Sequence, residues 1–150
     1  MQANQTTHHP NQRPMTFSTE IEIRFGDVDP AGIVYSPVIF HYLHVALEEF
    51  FAARCGTSYA DFVQRERLGL PSVNVRAEFL RPLVYGDRAR VRVRVARLGR
   101  SSLALAYTIE RGSDEQTAVH AEVVHVCMDL DARRAVPIPD RYRSALEKGP

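Results

Sequence analysis

The segment Gly26-Asp27-Val28-Asp29-Pro30-Ala31-Gly32-Ile33-Val34-Tyr35 decides how this chain is read. Gly26, Asp27, Asp29, Pro30 and Gly32 are the residue types that tight turns require, so the backbone must change direction here. Immediately upstream, Thr16 to Arg24 alternates apolar and polar residues, with Phe17, Ile21 and Ile23 on one side, which predicts a first strand. Immediately downstream, Ser36-Pro37 supplies a helix start. Serine can accept from an orphan backbone N–H, and proline brings a preset φ to the first helical position. The helix is predicted to run to about Arg54, with Gly56 as its left-handed stop. Val38, Ile39, Phe40, Tyr42, Leu43, Val45, Ala46, Leu47, Phe50, Phe51 and Ala52 surround nearly its whole circumference. Such a helix is normally buried on several sides.

Further out, Ser58 to Arg67 predicts a short amphipathic helix, with Gly69 after it. From Ser72 the pattern changes to period two: Val73, Val75, Ala77 and Phe79 alternate with Asn74, Arg76 and Glu78. Ala89, Val91, Val93 and Val95 alternate with Arg88, Arg90, Arg92 and Arg94. Leu103 to Glu110 and Thr117 to Asp129 are also strand-like. Tyr85-Gly86-Asp87 and Leu98-Gly99-Arg100 break the strands as hairpins or bulged turns, and Pro139 to Glu147 reads as a terminal helix. One strand, one long helix and four consecutive strands predict an α+β domain with mostly antiparallel pairing, in which a curled sheet wraps the helix. A sheet of about five strands leaves an edge and exposed apolar surface, so a homodimer is expected. Residues 1–15, polar and rich in Gln, Asn and Thr, read as a disordered tail with His8-His9 in it, leaving residues 16–150 as a single domain.

Bulk properties exclude several classes. With 150 residues and a formal charge of +1, the chain has no general attraction for nucleic acid or anionic membrane. It has no apolar run near the ~20 residues of a membrane span and no signal-peptide pattern, which reads as a cytoplasmic protein without membrane insertion. Cys55 and Cys127 lack metal-ligand spacing and read as reduced core thiols. The arginine stripe of Arg88, Arg90, Arg92 and Arg94, extended by Arg97 and Arg100, reads as a solvated outer sheet face or as phosphate contacts. It lacks the interleaved aromatics of a nucleic-acid platform.

The string Asp-x-Asp-Pro-Ala-Gly-Ile-Val-Tyr between a strand and an apolar helix ending in Glu48-Glu49-Phe50-Phe51 resembles the 4-hydroxybenzoyl-CoA thioesterase family. The resemblance covers roughly Phe17 to Tyr142. It implies a hotdog fold, with a sheet wrapped around one long helix, and hydrolysis of an aryl-CoA or short-chain acyl-CoA thioester. It also implies dimers whose sheets join into one continuous sheet with active sites at the interface, and dimers that assemble to homotetramers.

Thioester hydrolysis needs a nucleophile, or a base for water, and a site for the carbonyl oxyanion. Two aspartates in a tight turn before a helix N-terminus can supply both, since unpaired amides there can hold an oxyanion. By the resemblance, Asp29 is the catalytic carboxylate, and the family's oxyanion amide at the helix start maps onto Ser36; Pro37, where many relatives have a non-proline residue, has no N–H to donate. Tyr35 lines the acyl pocket or packs, and Gly32 permits the sharp backbone path. Arg100 and Ser101 take the place of the relatives' coenzyme A phosphate contacts, although this stretch is less basic than theirs. Asp27 reads as a structural turn residue. His41 and His44 share one helix face but lack a third ligand, so neither a metal nor a redox cofactor is implied. Three other readings compete. An enoyl-CoA hydratase or dehydratase needs a histidine near the helix start, and no His lies between Glu20 and Phe40. A non-catalytic acyl-CoA-binding module would bind such esters without releasing thiol, and a partner-dependent scaffold would bring a protein with it.

Overall fold

The computed structural model describes residues 16–148. The N-terminal tail, including His8-His9, and the last two residues lie outside this range. In chain order the elements are β1 (Phe17–Glu22), a 3-10 turn (Phe25–Asp27), α1 (Ser36–Cys55), α2 (Tyr59–Gln64), β2 (Leu68–Gly69) and β3 (Ser72–Phe79). They continue with β4 (Arg88–Leu98), β5 (Ser102–Arg111), β6 (Thr117–Val126), β7 (Met128–Asp129), β8 (Arg134–Ala135) and α3 (Asp140–Glu147).

Five strands pair antiparallel in the order β1-β4-β5-β6-β3, and α1 packs on one face of that sheet. This is the α+β arrangement expected. The alternation in sequence sets the faces. Ala89, Val91 and Val93 of β4, Leu105, Tyr107 and Ile109 of β5, and Val119, Ala121 and Val123 of β6 are buried beneath the helix. The strands are not neighbours in chain order throughout. β3 crosses to the far edge and pairs with β6, as Val75 opposite Val123 and Phe79 opposite Val119. The arginines of β4 occupy the outer face, where carboxylates from neighbouring strands answer them. Arg88 and Arg90 meet Glu20, Arg92 meets Glu110 at 2.9 Å, and Arg97 meets Glu122 at 2.6 Å. Exposed pairs of this kind contribute little stability each.

Helix α1 ends where expected, at a left-handed Gly56 with φ 67°. Its buried residues, Ile39, Tyr42, Leu43, Ala46, Leu47, Phe50 and Phe51, recur at helical spacing and form one face. Contrary to the sequence reading, the protomer does not bury it on several sides: Phe40 is 41% exposed and Ala52 is exposed. Three boundaries also differ from expectation. Tyr35, extended at φ −88° and ψ 157°, holds the N-cap place and puts Ser36 inside the helix, without a side-chain cap. Helix α2 begins as predicted, with Ser58 Oγ accepting from Asp61 N at 3.0 Å, but it stops at Gln64, and Arg67 is left-handed at φ 55°. The strand predicted over Thr117 to Asp129 breaks at Cys127. Its backbone leaves the large sheet to bond Ser101 O and Val136 N, after which Met128–Asp129 joins a small sheet with β2 and β8. Cys127 is buried and Cys55 half-buried, and both thiols are free.

Candidate active site

The turn before α1 is tied down by its first aspartate. Asp27 Oδ2 accepts from Arg24 N at 2.9 Å and from the Tyr42 hydroxyl at 2.8 Å. The second bond fastens the turn to the buried face of α1. Burial, and then the carboxylate beside it, push the Tyr42 phenol well above its ordinary range, so it stays a donor. Asp27 therefore has the structural place read for it in the sequence.

The second aspartate is held differently. Asp29 O accepts from Gly32 N at 2.8 Å, Asp29 N donates to Ile33 O at 2.9 Å, and Asp29 Oδ1 accepts from Ala31 N at 2.8 Å. Gly32 sits at φ 79°, a conformation other residues adopt only at a cost, and this closes the turn. The next residues cross to a neighbouring loop, with Val34 N donating to Leu83 O at 2.9 Å and Ile33 bridging Val84. The half-buried Asp29 carboxylate is thereby fixed through one oxygen, while Oδ2 accepts no hydrogen bond from the described residues.

Helix α1 begins one residue beyond this loop. Val38 N and Ile39 N both donate to Tyr35 O, at 3.0 and 3.3 Å, and Pro37 has no N–H. Of the first-turn amides, that leaves Ser36 N–H unpaired among the described residues, at the positive end of a helix running from Ser36 to Cys55. Asp29, Tyr35 and Ser36 line one cavity of about 610 Å³, floored by Ile39 and Val119 and walled by Phe79 and Arg81. Its lining is mostly apolar, with a carboxylate and a free amide at one end.

The structure thus brings together Asp29, Tyr35 and Ser36, with Gly32 shaping the turn. It does not bring Arg100 and Ser101 to this cavity within the protomer. They lie in the β4–β5 turn, where Arg100 O accepts from Ile138 N and from the Arg143 guanidinium, and Ser101 O accepts from Cys127 N. The sequence reading missed Arg81, whose guanidinium donates to Thr117 O at 2.7 Å at the cavity wall. The signal was present in Phe79-Leu80-Arg81-Pro82, where a proline ends a strand and leaves an arginine at its exit. His41 is exposed, and His44 pairs with Glu48 at 3.2 Å. No group of three or more His, Cys, Asp and Glu able to hold a metal occurs among the described residues. None of their helices is long and apolar enough to cross a membrane.

Comparison with known proteins bears on this geometry directly. The model of the thioesterase-like superfamily matches residues 23–146. The chain belongs to the thioesterase-like superfamily. It is 34% identical over 128 residues to the 1,4-dihydroxy-2-naphthoyl-CoA hydrolase of Thermosynechococcus vestitus, covering 85% of this chain and 86% of the relative. Against the enzyme of the same name from Synechococcus elongatus it is 30% identical over 125 residues, covering 83% and 90%. Among solved structures, a 1,4-dihydroxy-2-naphthoyl-CoA thioesterase from Synechocystis superposes with a TM-score of 0.78 at 26% identity, covering 87% of this chain and 95% of that one. A hypothetical protein from Thermus thermophilus gives 0.77 at 31% identity, covering 86% and 95%. The hotdog fold and the reaction class expected from the sequence, thioester hydrolysis, are those of this thioesterase-like family. At this level the resemblance read from the sequence holds.

Proposed function

We propose that the chain hydrolyses an aryl-CoA thioester to the free acid and coenzyme A, with Asp29 as nucleophile or as base for water. The carbonyl oxygen is received by Ser36 N–H, Tyr35 lines the acyl pocket, and Gly32 holds the turn that aims the carboxylate. The observation that carries this reading is the pairing, in one mostly apolar cavity, of a carboxylate with a free oxygen and the single unpaired amide of the helix start. An oxyanion donor aimed at the developing charge is worth about 10²–10³ in rate. The thiolate of coenzyme A leaves without a metal or redox cofactor. Aryl groups are favoured by the Ala31-Gly32-Ile33-Val34-Tyr35 sequence, as in the 4-hydroxybenzoyl-CoA thioesterases, and by the names of the relatives above. Arg100 and Ser101 are assigned to the phosphates of coenzyme A bound from the second subunit's side, and Arg81 offers a further cation at the cavity wall.

The functional unit on this reading is a homodimer of residues 16–150 joined through β3, pairing further into a tetramer, in the cytoplasm. β3 is an edge strand exposed along nearly its whole length, with Val73 at 60% and Phe79 at 52% exposure. An unpaired apolar edge of this kind calls for a second strand. The test is release of thiol by purified wild-type protein from a panel of aryl- and alkyl-CoA esters. The expected result is turnover with kcat/KM highest on an aromatic ester. Binding of the esters with no thiol released would move the protein to an acyl-CoA-binding module, and hydration of an enoyl-CoA would make it a hydratase.

A further inference from the structure

A second cavity, about 70 Å³, opens between α1 and the β3–β6 pair, bounded by Phe40, Leu43, His44, Ser72, Tyr107 and His125. His125 is 2% exposed and is the one buried polar or charged residue of the described core. Its Nδ1 lies 2.9 Å from Leu70 O, and a carbonyl only accepts, so Nδ1 carries the proton. Burial disfavours the charged ring more than the Leu70 carbonyl favours it, and His44 nearby adds to the first, so the balance lies towards the neutral ring. Its Nε2 is then a bare acceptor, buried and without a hydrogen-bond partner among the described residues. A buried acceptor left unpaired is costly, and sites that carry one are built for a donor. A register shift between Ser72 and Asn74 sets Ser72 opposite His125, at 3.5 Å from Nδ1, although the rest of β3 alternates in step with β6.

The space is about half that of a cavity able to hold benzene, enough for a hydroxyl and the ring edge that bears it. Within one protomer it is remote from the Asp29 turn. Ser36 and His44 are ~12 Å apart along α1. Phe79 and Ser72 are roughly 20 Å apart along β3. The Phe40 and Phe79 rings, with centroids 6.5 Å apart, stand between the two cavities. A single-ring acyl group is shorter than either path. Antiparallel pairing of two β3 strands about their middle, however, sets Ser72 of one copy opposite Phe79 of the other, and so brings the His125 cavity beside the other copy's Asp29 and Ser36.

We propose that His125 is a specificity-determining residue of the thioesterase site, its Nε2 accepting a hydrogen bond from a hydroxyl on the acyl ring whose thioester is held by Asp29 of the second copy. This rests on the thioesterase reading and on pairing through β3. The experiment compares kcat/KM for hydroxybenzoyl-CoA esters with that for benzoyl-CoA, which lacks only the hydroxyl. Wild type is expected to prefer one hydroxylated ester by about tenfold or more. His125→Leu should abolish the preference while leaving benzoyl-CoA turnover within a few fold, and His125→Gln, which keeps an acceptor, should restore part of it. Mixed dimers of Asp29→Asn and His125→Leu chains contain one site with both residues intact only if the two come from different copies, so recovery of the preference there supports the shared arrangement. Turnover with the same preference in His125→Leu overturns the proposal, and a mixed dimer active without preference overturns the assignment to the second copy. If no ester is hydrolysed the thioesterase reading itself fails. The cavity is then judged by the ¹⁵N shift of His125 Nε2 in wild type titrated with phenol and with toluene. A response to phenol alone sustains the acceptor role, and the same response to both, or to neither, overturns it.

Discussion

Asp27 and Asp29 are separated by one residue, and their hydrogen bonds assign them opposite duties. The bonds to the Asp27 carboxylate, from Arg24 N and Tyr42 Oη, are internal to the fold, whereas Asp29 Oδ2 accepts none from the described residues. Tyr42→Phe should therefore cost about 1–2 kcal/mol in urea denaturation, and lower turnover through a loosened turn with little change at Asp29 itself. That Asp29 and Ser36 lie together was legible in the motif, because a carboxylate beside a proline and a helix start is a local arrangement. His125 was not read, although a histidine in step with Val119, Ala121 and Val123 sits where an apolar residue is due. Its unpaired nitrogen depends on contacts with Leu70 and Ser72 that only the assembled fold creates. The same burial predicts a pH effect. His125 is held below its ordinary pKa of about 6.5, so the unfolded chain binds a proton that the folded one resists. Stability is then unaffected by this group above that value and falls as pH drops below it. Thermal melts from pH 7.5 to 5.5 should show this decline in wild type and a shallower one in His125→Gln.

Among the elements, α1 carries the sharpest test, because its first turn has only one amide to offer. Ser36 N–H is unpaired among the described residues, and Tyr35 before it is already extended, the conformation a following proline requires. Ser36→Pro deletes that N–H without removing a helical hydrogen bond. It should leave the melting temperature within a few degrees while lowering kcat by about 10²-fold, as read by thiol release. A loss of activity matched by loss of structure would count against the oxyanion role. The length and stop of α1 were evident from composition and Gly56, but its one-sided burial was not. Apolar residues all round a helix do not reveal which neighbours cover them, and Phe40 is left 41% exposed. The place of β3 was equally hidden. Consecutive strands read as neighbours, but β3 pairs with β6, some forty residues away in sequence, and that pairing leaves no local trace.

The whole molecule presents an apolar edge strand and, beside it, a cavity that holds a carboxylate and a free amide. On the proposed reading these belong to one design, with two copies closing the edge and the site together. Val75→Lys, placing a charge at the middle of β3, should shift sedimentation from dimer to monomer and reduce activity in proportion at low protein concentration. The outer face should contribute little, since Arg90, Arg92 and Arg97 meet Glu20, Glu110 and Glu122 in pairs that water reaches. The central claim is that Asp29 carries the reaction. The most direct test is thiol release from the best aryl-CoA ester by wild type and by Asp29→Asn, a substitution that keeps the shape and removes the charge. The account predicts a loss in kcat of about 10²-fold or more with ester binding and dimerisation retained. Turnover within a few fold of wild type would reduce Asp29 to a turn residue and contradict it.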